Sequence, residues 1–165
     1  MANNFVQFSE RLAVLTEDEA DWIVALSELG RVGPEDQAHF DGESSPTTEI
    51  GRIALELWGE DLGHVYIQAK NGREDPGAEH HVWFSSDEAN DPYDVARVVQ
   101  VFFRKFRSDG NELFALTWSN SCSKPRLGEF GGGAVIVTKD AIETFTAFEW
   151  VEKKRQEHDR RDTPP

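Results

Sequence analysis

The segment that most restricts the fold is Asp91–Arg107, "DPYDVARVVQVFFRKFR". Asp91 is a natural N-cap, and Pro92 stands at the first helical position, where the missing amide costs nothing. Val95, Val98, Val99, Phe102, Phe103 and Phe106 follow at i, i+3, i+4, i+7, i+8 and i+11. That spacing places six large apolar side chains on one stripe of an α-helix. Arg104, Lys105 and Arg107 fall at the carbonyl end, where cations offset the helix dipole. A stripe this wide needs a sheet to cover it, so the rest of the chain has to supply strands.

Strand patterns lie on both sides. "GRIALELWG" alternates through Ile53, Leu55 and Leu57, and "HVYIQAK" and "HHVWFSS" are β-rich runs divided by the turn signals of "NGREDPGAE". After the central helix, "NELFALTWS" puts Phe114, Leu116 and Trp118 on one side, and "AVIVT" reads as its partner strand. Upstream, Thr16 with Glu19 fits a capping box for a helix carrying Trp22, Ile23, Leu26 and Leu29 and stopping at Gly30. Thr138 reads as the cap of a last helix with Ala141, Ile142, Phe145, Phe148 and Val151 facing inward.

The predicted order is α-βββ-α-ββ-α. It describes an α+β fold with a mostly antiparallel sheet of about five strands and two or three helices packed on it. Residues 1–152 make one domain, within which 31–50, "RVGPEDQAHFDGESSPTTEI", reads as a long acidic surface loop. Residues 153–165, charged and ending in two prolines, read as a disordered tail.

Charge is distributed unevenly. Residues 1–94 hold 21 Asp/Glu against 5 Lys/Arg, a balance of −16, whereas residues 95–165 hold 10 against 12, a balance of +2. Direct nucleic-acid binding needs clustered cations, and anionic membranes do too, so neither is expected. No apolar run reaches the roughly 20 residues that span a bilayer. "MANNFVQFSERLAVL" lacks the basic and apolar regions of a secretory signal. These features predict a soluble cytoplasmic protein. The single cysteine excludes an internal disulfide and paired-cysteine zinc sites. His80 and His81 would point to opposite faces of a strand, so no metal site is predicted, and nothing calls for a cofactor.

One connection stands apart. Ser121–Gly133, "SCSKPRLGEFGGG", joins the two later strands. As a structural hairpin connection it is stiffened by Pro125 and anchored by Phe130 in the core. Glu129 then pairs with Lys124 or Arg126, and the glycines allow close backbone approach. As a recognition surface, Ser121, Cys122, Ser123, Lys124, Arg126 and Glu129 present polar tips, and Gly131, Gly132 and Gly133 offer bare amides to an anion or a peptide backbone. No Gly-Lys-Ser/Thr follows the triglycine, and a strand does, so it is not a P-loop. As a catalytic site, Cys122 beside Lys124 and Arg126 would need a histidine base, with His64 and His80 the candidates to approach it.

The run "FALTWSNSCSKPRLGEFGGGAVIVT", preceded by "VVQVFFRKFR", resembles a group of small acidic proteins of bacteriophages, plasmids and bacteria that share a CSKPRxGEFGGG segment. The resemblance covers roughly residues 63–152. It implies an accessory role on a mobile element, in bacterial or host cytoplasm, and brings no reaction with it. Three functions follow in order. The first is a non-enzymatic interaction module presenting the 120–133 loop to a protein or small ligand. The second is an acidic inhibitor or nucleic-acid mimic aimed at a host DNA- or RNA-handling protein, and the third an enzyme using Cys122.

Overall fold

The computed structural model describes residues 4–14, 16–35, 38–41, 45–72, 80–86, 90–124 and 130–161, with the side chains of 159–161 left aside. In chain order the elements are β1 (Asn4–Ala13), α1 (Glu17–Val32), α2 (Glu49–Trp58), β2 (Gln68–Asn71), β3 (His81–Ser86), α3 (Pro92–Phe106), β4 (Phe114–Cys122), β5 (Gly131–Val137), β6 (Ile142–Thr146) and α4 (Ala147–Arg161). The strands form one six-stranded sheet in the order β2-β3-β1-β4-β5-β6, antiparallel at every pairing. The α+β class is therefore as the sequence predicts.

The pleat sorts the side chains. Phe8 and Leu12 of β1, Val82 and Phe84 of β3, Phe114 and Leu116 of β4, and Val135 and Val137 of β5 are buried on one face. The α3 stripe meets them as expected: Val95, Val98, Val99, Phe102 and Phe103 are buried, and Phe106 packs at the margin of the same core. α1 adds Ile23, Leu26 and Leu29 to that layer. On the opposite face Trp83, Ile136 and Phe145 stand exposed. The architecture is two-layered, with α1 and α3 packed on one side of the sheet.

Four local readings change. Residues 51–57 are helical, not a strand. Thr48 caps α2 by accepting the Gly51 amide at 3.1 Å, and Ile50, Ile53, Ala54, Leu57 and Trp58 recur at helical spacing, while Leu55 is exposed. The central strand β1 is not evident from "NFVQFSERLA", because its alternation through Val6, Phe8 and Leu12 is broken by Glu10. Between α1 and α2, Phe40 is 1% exposed, so this connection sends a plug into the core and is not merely a surface loop. Phe40 bridges Pro46, and the His39 carbonyl accepts the Thr47 amide at 2.8 Å.

The fourth change follows β5. Thr138 makes a tight turn instead of capping a helix: its amide donates to the Ala141 carbonyl at 2.9 Å and its hydroxyl accepts the Ala141 amide at 3.1 Å. The chain then returns as β6, because the β-branched alternation "IETFT" can close the ladder along β5. Thr146 is the true cap, its hydroxyl accepting the Glu149 amide at 3.2 Å and donating to the Glu149 carboxylate at 2.7 Å. α4 continues to Arg161, through positions read as tail.

The acidic half and the cations of α3 are stitched together. Arg107 donates through both terminal nitrogens to the two oxygens of Glu19, each at 2.9 Å. Lys105 donates to Glu49 at 2.7 Å, and Arg104 holds the β5–β6 turn through the Lys139 carbonyl at 2.7 Å.

Candidate functional site

The site is built from the far end of the β4–β5 hairpin. β4 and β5 pair from Phe114 opposite Val137 to Asn120 opposite Gly131. Beyond that register, Ser121 and Cys122 stay in the sheet by pairing with Phe5 and Asn4 of β1. Ser123 and Lys124 follow at the exposed tip. Of the predicted polar tips, Arg126 and Glu129 lie outside the described residues, as does the proposed Glu129 pairing.

The triglycine answers mainly to packing. A β-carbon on Gly133 would run into the Phe145 carbonyl and the Trp118 indole, and one on Gly132 would overlap the Trp118 carbonyl. Gly131, by contrast, has no atom within 4 Å of that position. Trp118 thus lies across Gly133, and two glycines are needed because a ring and a backbone occupy the space of their side chains. Backbone alternation adds a functional consequence. Thr138 bonds Ala141, so even-numbered residues of β5 face β6. Gly132 is one of them, but β6 has ended at Thr146. The polar backbone of Gly132 therefore turns toward the start of α4.

There a cleft of about 340 Å³ opens, lined among others by Asn120, Phe130, Gly131, Gly132, Phe148 and Val151. Phe130 is 56% exposed, so it rims this cleft and does not anchor the loop in the core. Phe148 and Val151, expected to face inward, are 76% and 40% exposed. They stay outside because the last helix is capped at Thr146, eight residues beyond Thr138, after β6 has carried the chain along the edge of the sheet. The cap "TAFE", a Thr with Glu three residues on, was the sequence signal for this arrangement. Glu152 and Arg155 close the wall 3.9 Å apart, with Arg155 largely in solvent.

Cys122 has different surroundings from those a nucleophile needs. It is half-buried opposite Asn4, whereas His81 pairs with Ala13 at the other end of β1. Nine positions at about 3.3 Å each separate the two pairings, roughly 30 Å. His80 directly precedes His81, and His64 lines a separate cleft with Trp58, Asp61 and Asp94. Neither expected histidine is brought to the thiol.

That second cleft carries one perturbed group. The Asp94 carboxyl is pushed up, first by burial and then by the neighbouring Asp91 charge, against the Trp58 indole N–H that donates to it at 3.2 Å. Among the described residues no group of three His, Cys, Asp or Glu side chains is placed to hold a metal ion, and no helix is long and apolar enough to cross a membrane.

Comparison of the chain with protein-family models, curated proteins and solved structures finds no match. Function has to be read from the chemistry of the surface itself.

Proposed function

We propose that this protein is a non-enzymatic interaction module and that the cleft between the β4–β5 end and α4 receives its partner, an apolar segment of another protein or a small apolar ligand. One observation carries the reading. Phe130, Phe148 and Val151 stand exposed around a single concavity, with Phe145 and Trp150 exposed close by in the chain. Water-facing aromatic clusters of this kind mark binding surfaces, since burying them on a partner recovers the apolar area left in solvent. The polar backbone of Gly132 supplies a donor and an acceptor inside the apolar wall, and Arg155, which lines the cleft, supplies a cation. An accessory role on a mobile element, implied by the resemblance over roughly residues 63–152, fits a protein that acts by binding.

The test uses exposure to separate binding from folding. Phe148→Ser removes a side chain that is 76% exposed and should leave the melting temperature within the scatter of surface variants. The same variant is expected to lose most of the wild type's capture of a bacterial host protein and its enhancement of an environment-sensitive apolar dye. Retention of both by Phe148→Ser and by Phe130→Ser would remove this cleft as the binding surface.

A further inference from the structure

The two edges of the sheet are treated differently. β2 is four residues long, carries Lys70, and is tied by Asn71 to Asp21 of α1. Short, charged, covered edges resist pairing with another chain. β6 at the other edge has neither lysine nor proline, and among the described residues no strand lies beyond it.

The ladder shows which of its backbone groups are open. Thr138 and Ala141 form a hydrogen-bonded pair, so alternation makes 136/143 and 134/145 the bonded pairs between β5 and β6. Glu143 and Phe145 therefore spend their amides and carbonyls on β5. Ile142, Thr144 and Thr146 turn theirs away from the sheet. The Thr146 carbonyl is engaged as the helix cap position, which leaves three amides and two carbonyls along one edge.

We propose that this edge takes a second copy of the same chain, the two β6 strands pairing antiparallel about a two-fold axis at Thr144 to give a continuous twelve-stranded sheet. The pattern is self-complementary. Each Thr144 amide meets the Thr144 carbonyl of the other copy, and each Thr146 amide meets an Ile142 carbonyl, four bonds related by the axis. Glu143 falls opposite Phe145 of the second copy, so no like charges stand opposite each other.

Charge outside the strand agrees. The same register carries the turn with Lys139 and Asp140 to the beginning of α4 in the other copy. There Glu149, whose carboxylate also accepts the Thr146 hydroxyl, offers an anion to the lysine, which within its own chain donates to the Ser108 carbonyl, and the helix N-terminus favours the aspartate. A lysine-rich peptide or an unrelated strand would match the backbone but not this reciprocal placement. The cleft is lined by the start of α4 together with β4 and β5 residues. The pairing uses the opposite, open side of β6, so it is independent of what the cleft binds.

Sedimentation velocity of the full chain, from low micromolar to several hundred micromolar, tests the pairing. The expected result is a concentration-dependent shift from the 18.6 kDa chain toward twice that mass. Thr144→Pro should abolish the shift, because proline removes the outward amide while costing no bond to β5. Thr144→Val keeps that amide and should retain the dimer. Should the proline variant not fold, amide exchange of the wild type decides: Thr144 is expected to exchange slowly at high concentration and many-fold faster on dilution, with Phe145 slow at both. A monomer at every concentration, a dimer indifferent to Thr144→Pro, or a Thr144 amide insensitive to dilution overturns the proposal.

Discussion

Adding one carbon at Gly133 tests why the chain carries three glycines in a row. The new β-carbon would stand 2.6 Å from Cη2 of Trp118 and closer still to the Phe145 carbonyl. Carbon atoms pack at about 3.5–4.0 Å, so the indole would have to retreat by roughly 1 Å. Trp118 packs against the core, and the Phe145 carbonyl is fixed in the β5–β6 ladder, so neither can turn aside freely. Overpacking of this kind costs about 1–3 kcal/mol. Partial loss of the Trp118 contacts places Gly133→Ala toward the upper end. In a chain of this length each kcal/mol lowers the melting temperature by about 2–4 °C. Gly131→Ala adds its carbon to open space and should stay within about 0.5 kcal/mol of wild type. Urea denaturation followed by tryptophan fluorescence resolves the two. Equal losses at Gly131 and Gly133, or none at Gly133, would refute the packing account of the triglycine and return it to a role in ligand contact.

Two further outcomes follow from the charged groups. Glu19→Ala removes both carboxylate partners of the Arg107 guanidinium, which keeps only the Phe106 carbonyl at 2.9 Å, in a site where both side chains are 12% exposed, and should cost about 3 kcal/mol, the low end for a broken buried pair; a Glu19/Arg107 double-mutant cycle in denaturant should show strong coupling, and additive effects would contradict the bidentate pair. The Asp94 carboxyl is raised above its ordinary value of 3.8 by burial and then by Asp91, so its folded form favours the proton. Its contribution to stability is present below pH 3.8 and is lost as pH rises through the raised folded value. Asp94→Asn keeps an acceptor for the Trp58 indole and should gain on wild type as melts move from acid to neutral pH; parallel pH profiles would contradict this.

The sequence was most legible where one periodicity served one surface. The α3 stripe meets a single sheet face, and its cap, length and buried set follow directly from residues 91–106. The alternation of Phe114, Leu116 and Trp118 likewise survives intact, because β4 is covered on one face only. Where two periods coincide, sequence alone could not choose. Ile53, Leu55 and Leu57 alternate, yet Ile50, Ile53, Ala54, Leu57 and Trp58 also recur as in a helix, and packing against α1 selected the second pattern. Ile142, Phe145 and Phe148 are spaced for a helix, but the open flank of β5 recruited residues 142–146 as a strand.

That recruitment also made the site. Local sequence determined an α+β chain, a capped central helix and a glycine-rich turn between two strands. Only the tertiary structure decided that Phe130 and Phe148 would face water beside one another, and that Cys122 would lie the length of a strand from His81. Both outcomes depend on strand order and register, which are set by contacts between segments far apart in the chain. Hydrogen bonding of β1 to β3 and β4 is non-local, and no window of neighbouring residues contains it.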